Sequence, residues 1–117
     1  MRVNIKTNGF DLTEGLRAHT EWRLKLALDW ARHDLSEVTV RLSDINGPRG
    51  GNDKRCQIQI SLPHNRDVVI EDTEADLYVA IDLAVGRASQ TLERRLSKQR
   101  DFAAGRTRLP PQAWDIE

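Results

Sequence analysis

The chain has 117 residues, 38% hydrophobic and 31% charged, with 18 Lys and Arg against 18 Asp and Glu. That length makes one domain with a modest core, and no apolar run approaches the roughly 20 residues of a membrane span. A single cysteine excludes an internal disulfide framework. Together with an amino terminus that lacks the apolar stretch of a signal peptide, it leads to a cytoplasmic expectation.

In chain order, RVNIK sets Val3 and Ile5 on one face of a short strand. DLTEGL then starts a helix, with Asp11 and Glu14 spaced as a capping box or Thr13 as the cap itself. The helical pattern runs from Thr13 to about His33. EVTVRLSD alternates Val38, Val40 and Leu42 inward with Thr39 and Arg41 outward, a half-buried strand. NGPRGGNDK is a long hairpin loop. RCQIQISL alternates again, with Cys56, Ile58, Ile60 and Leu62 inward. PHNR turns, DVVIED makes a fourth strand with Val68 and Ile70 inward, and Thr73 is placed to cap a final helix.

The order β-α-β-β-β-α predicts an α+β fold, a two-layer sandwich. The first two strands, joined through a helix, pair in parallel. The last three form an antiparallel meander, giving a four-stranded mixed sheet. Polar outward positions on the second and third strands leave one face uncovered, so both helices pack on the other. The folded domain is expected over residues 1–101, with 102–117 a flexible tail.

Charge is neutral in sum but segregated. Asp67–Asp82 holds six acidic residues and no Lys or Arg, whereas Arg87–Arg108 holds seven basic residues against Glu93 and Asp101. Association responds to such local fields. On a wheel centred on Ile81, the residues Leu77, Ala84, Val85, Ala88, Leu92 and Leu96 fall within about 60° of it and form a buried seam. Arg87, Thr91, Arg94 and Lys98 line a second stripe, with Arg95 nearer the seam edge. Cations in one line over three turns suit a row of phosphates, although basic residues late in a helix also complement its dipole and solvate it. Arg49, Lys54 and Arg55 add charge in and beside the glycine loop, either to approach phosphates or to keep the hairpin soluble.

The first helix has a core face of Leu16, Thr20, Leu24, Ala27 and Ala31, with Trp22, Leu26 and Trp30 in a stripe beside it. The economical expectation is that this stripe is buried sideways against the second helix. The alternative is a protein-interaction or self-association face, since Trp is enriched at interface hot spots.

His19, His33 and His64 are scattered without ligand spacing, and Cys56 has the inward phase of a small buried hydrophobe. No metal site is expected. The glycine loop is not followed by Lys-Ser or Lys-Thr and opens no helix, which excludes a P-loop. No nucleophile–base pair is visible, so neither an enzyme nor a cofactor or small-molecule substrate is expected.

VNIKTNGFDLTEGLRAHTEWRL, VTVRLSDINGPRGGNDKRCQIQISL and EDTEADLYVAIDLAVGRASQTLERRLSK together resemble the family of ribosome hibernation-promoting factor and ribosome-associated inhibitor A, the sigma-54 modulation proteins. The resemblance spans about residues 2–101 and implies the same β-α-β-β-β-α fold. It further implies a bacterial stationary-phase or stress factor of the short form. Such factors bind rRNA phosphates of the small ribosomal subunit where mRNA and tRNAs would lie, and block translation without catalysis. Arg87 corresponds to a basic site of the family's second helix, and Arg94, Arg95 and Lys98 fall in its basic terminal half. Arg23 corresponds to a family lysine in the first helix. Leu26 stands where a second lysine is usual, so this helix has lost charge and gained apolar area.

Overall fold

The computed structural model describes residues 1–45 and 53–108, with the side chains of 99–108 excepted. The elements are β1 (Arg2–Asn8), α1 (Glu14–Leu28) with a 3-10 turn at Asp29–Ala31, β2 (Glu37–Asp44), β3 (Lys54–Ser61), β4 (Val68–Glu74) and α2 (Leu77–Arg108). The strands lie side by side in the order β1-β2-β3-β4. β1 runs parallel to β2, and the other two pairings are antiparallel. This is the expected two-layer α+β sandwich.

Alternation along the strands sets the layers. Val38, Val40, Leu42, Cys56, Ile58, Ile60 and Val68 are buried and form one cluster with the helix residues Leu24, Leu28, Ile81, Val85, Ala88 and Leu92. Apolar area removed from water at about 25 cal/mol per Å² holds these layers together. α2 lies against β3 and β4, and α1 lies beside α2. The two helices run in the same direction: Gly15 abuts the Tyr78 hydroxyl, His19 meets Asp82, and the Ser89 hydroxyl donates to the Ala27 carbonyl.

Local signals explain most of the element boundaries. Thr13 caps α1, its hydroxyl accepting from the Leu16 N–H at 3.1 Å. The chain enters α1 through Gly9, whose φ of +96° favours a residue without a side chain. Within α1, the buried face is Leu16, Thr20, Leu24 and Leu28, with Ala31 following in the 3-10 turn. Leu28 thus joins the core while Ala27 is only partly covered. The Thr20 hydroxyl is satisfied by donating to the Leu16 carbonyl.

One expectation is corrected. Thr73 does not cap α2, because β4 continues to Glu74 and pairs Thr73 with Arg55. The cap is Asp76, whose carboxylate accepts from the Tyr78 N–H at 2.7 Å and whose carbonyl accepts from Ala80. α2 itself runs to Arg108. The rest of the expected tail, 109–117, and most of the glycine loop, 46–52, lie outside the described residues. Among the described residues no helix is long and apolar enough to cross a membrane.

Cys56 is fully buried, and burial followed by the negative charge of Asp72 pushes its thiol up to about 12. The thiolate is the reactive form, so native protein at pH 8 should resist a disulfide exchange reagent, and reaction should follow only on adding denaturant. Rapid labelling of the native protein would contradict this burial. The raised value also fixes a sign. This contribution is fully present below the unfolded thiol value of roughly 8.5 and is lost as pH rises through about 12.

Candidate nucleic-acid interface

α2 buries Leu92 and Leu96 and thereby turns Arg94 and Lys98 outward. Because α2 runs antiparallel to β4, its fifth and sixth turns return to the level of the β3–β4 turn. There the helix and the turn enclose a cleft of about 830 Å³, lined by Thr91, Arg94, Arg95 and Lys98 on one side and His64, Asn65 and Arg66 on the other. Arg95 ties the two walls together: one guanidinium nitrogen donates to the Arg66 carbonyl at 2.7 Å and to the Asp67 carbonyl at 3.4 Å. Arg94 reaches only the Thr91 hydroxyl, at 3.5 Å. Among the described residues neither Arg94 nor Lys98 has a carboxylate partner. The cleft therefore presents four cations, Arg66 included, with fixed backbone walls and little internal neutralisation. That arrangement can hold a run of phosphates through charge-assisted hydrogen bonds.

The other basic positions singled out from sequence are dispersed. Arg87 lies nearly two turns earlier, ion-paired to Asp72 at 3.1 Å and bonded to the Glu71 carbonyl. Glu74 lies beside this pair, and a hydrogen bond with Asp72 raises its carboxyl above the ordinary value. Arg23 sits between the helices, donating to the Asp82 carboxylate at 3.0 Å, which His19 also contacts at 2.8 Å. Asp82 precedes Arg94 by twelve residues, about 18 Å along the helix, so Arg23 does not join the cleft. Lys54 bonds Asp53 at 3.0 Å and Asp44 at 3.3 Å, and the hydrogen bond to Asp53 is the main reason its ammonium is held above the usual value. Arg55 projects from the uncovered face of the sheet and pairs with Glu71. Arg49 lies outside the described residues.

The tryptophan stripe is not buried beneath α2, contrary to the economical expectation. Trp22 is 56% exposed, Leu26 58% and Trp30 49%. The reason is the helix arrangement: α1 gives α2 the face carrying His19, Arg23 and Ala27, leaving the next face to solvent. Trp30, in the 3-10 turn, donates its indole N–H to the Ala27 carbonyl at 2.7 Å and is held in place.

His64, Asn65 and Arg66 were missed by sequence reasoning, which saw only a turn. Topology held the signal. A seven-residue β4 rises about 23 Å, and α2 needs about 15 residues to travel back that far. Counting from Leu77 leads to Leu92, beside the Arg94–Lys98 segment.

The fold and cleft together describe a two-layer α+β domain with a cationic groove at the far end of its second helix. Residues 3–100 match the family described as sigma 54 modulation protein / S30EA ribosomal protein, and the chain belongs to that family. Among solved structures, it is similar to a ribosomal subunit interface protein from Coxiella burnetii, with 21% identity and a TM-score of 0.72 over 83% of this chain and 99% of the other. It is also similar to the Protein Y N-terminal domain of Thermus thermophilus, with 28% identity and a TM-score of 0.66 over 80% and 98%. No curated protein sequence matches.

Proposed function

We propose that this protein is a non-enzymatic, ribosome-associated factor that binds small-subunit rRNA and holds back translation under stress. The observation carrying this reading is the cleft between α2 and the β3–β4 turn, in a chain of this ribosomal family. Arg94, Arg95 and Lys98 take phosphates there, Arg66 adds a fourth cation, and Arg87 contributes when phosphate replaces Asp72. The remaining basic positions, Arg23, Arg49, Lys54 and Arg55, supply supporting charge. Co-sedimentation with small ribosomal subunits across a salt series tests it. Neutralising about five phosphates gives a log–log slope of roughly −3.5 to −4.5. Absence of binding by folded protein at low salt would sink the proposal.

The exposure of Trp22, Leu26 and Trp30 favours a second reading, in which this face binds a protein partner or a second copy of the chain. On that reading, Leu26→Lys or Trp22→Ala dissociates the oligomer or partner complex, and salt has little effect. Sedimentation velocity of both variants checks it, and a wild-type protein that is monomeric at every concentration removes the homodimer.

A further inference from the structure

The uncovered face of the sheet carries a second cationic concavity, turned away from the helices. Its residues come from three neighbouring strands: Lys6 and Asn8 of β1, Arg41 and Ser43 of β2, and Arg55 and Gln57 of β3, around a hollow of about 310 Å³. Register places Lys6 directly opposite Arg41, and Arg55 opposite Ser43 two pairs further along. Two like charges facing each other across neighbouring strands destabilise a sheet. Among the described residues neither Lys6 nor Arg41 has a carboxylate within ion-pair distance; Arg41 reaches only the Gln59 side chain, at 3.5 Å. Arg55 shares Glu71, and Glu37, four residues before Arg41 on the same face of β2, is bonded by Asn4.

We infer that this hollow is a second RNA-binding site, which takes consecutive phosphodiesters of a strand other than the one in the α2 cleft. Lys6 and Arg55 are two strand spacings apart, about 10 Å, and offset by two residues, about 7 Å, along the strands, wider than a single phosphate. Three cations at that span suit a polyanion. Between them, the Asn8 and Gln57 amides offer neutral hydrogen-bonding groups for sugars and base edges, which an acidic peptide lacks. Since the sheet separates the two cationic surfaces, occupation of both makes the domain a bridge between two RNA segments. The site uses none of the α2 residues and does not depend on that cleft being filled.

The test is a chemical-shift titration of ¹⁵N-labelled protein with a uridine dodecamer, on wild type and on the Arg94→Glu/Lys98→Glu variant, with polyglutamate as a control. The expected result is movement of amides around Lys6, Arg41 and Arg55 in both proteins, with polyglutamate leaving them in place. Lys6→Glu/Arg41→Glu should weaken that site about tenfold or more. Lys6→Glu alone, free of RNA, should raise the melting temperature by about 1–4 °C by replacing repulsion with attraction. If the double reversal disturbs the fold, Lys6→Gln/Arg41→Gln makes the same comparison. Shifts confined to α2 overturn the sheet site and leave the cleft standing. Shifts confined to the sheet in wild type retain the site and overturn the cleft. Equal response to polyglutamate overturns its assignment to RNA, and no shift on either face overturns both.

Discussion

Replacing Arg94 and Lys98 together by glutamate is expected to lower affinity for small ribosomal subunits about 100-fold or more, with the fold intact. Both side chains are exposed, and neither has an acidic partner among the described residues, so the folded state loses no ion pair. A hydrogen bond to a charged group contributes about 1.5–3 kcal/mol, and each 1.4 kcal/mol is tenfold in affinity. Reversal also sets two carboxylates against the phosphates. Arg95 is the wrong residue for this experiment, because its guanidinium holds the β3–β4 turn and its loss would reshape the cleft. Circular dichroism establishes that the double variant is folded, and co-sedimentation reads the loss. Retained affinity in folded protein removes Arg94 and Lys98 from the interface.

The second large effect is on stability. Leu92→Ala is expected to destabilise the protein by about 2–5 kcal/mol, measured by urea denaturation. Leu92 is fully buried in the common core cluster and lies one turn before Leu96, the last buried side chain described on α2. Truncation leaves a cavity beneath the segment that carries Arg94 and Arg95. Against a typical total of about 5–15 kcal/mol, the midpoint should fall steeply. A cost below about 1 kcal/mol would show that this half of α2 is not held by the core. Thr91→Ala, one residue away and only partly exposed, separates packing from helix propensity, which accounts for less than about 1 kcal/mol.

Much of the architecture is legible from period alone. Strict alternation in EVTVRLSD and RCQIQISL identifies the inward residues, which are the fully buried Val38, Val40, Leu42, Cys56, Ile58 and Ile60. The α2 seam follows from a single wheel, since Ile81, Ala84, Val85, Ala88 and Leu92 are all fully covered. What period does not carry is competition between neighbouring elements. Thr73 and Asp76 are both good caps, and the choice fell to Asp76 because ladder pairing with β3 holds Thr73 in a strand. The apolar arc of α1 is wide enough to suggest two buried faces. A parallel neighbour helix on its His19 and Arg23 side covers one flank and leaves Trp22 and Leu26 to water. The candidate site was half legible. The basic stripe on α2 can be read from spacing, but the turn that completes the cleft is distant in sequence, and only the lengths of β4 and α2 bring it near. Likewise, Arg55 and Arg94 look alike in a list of cations, but strand phase places them on opposite sides of the sheet.

The separation of charge along α2 bears on how the molecule arrives. Asp76 caps α2, Asp82 lies in its second turn beside Arg23, and Arg87, paired with Asp72, is followed by Arg94, Arg95 and Lys98 on the same rod, about 48 Å long in all. In a uniform electric field a body with zero net charge feels no net pull, only a torque. Far from a polyanion it therefore diffuses as a neutral particle, without the long capture range of a basic protein. Within about one Debye length, roughly 10 Å in moderate salt, the field turns its basic end forward and its acidic end back. Such a molecule discriminates by orientation at close range, which limits idle accumulation on exposed nucleic acid and reserves tight contact for a surface that accepts it in one pose.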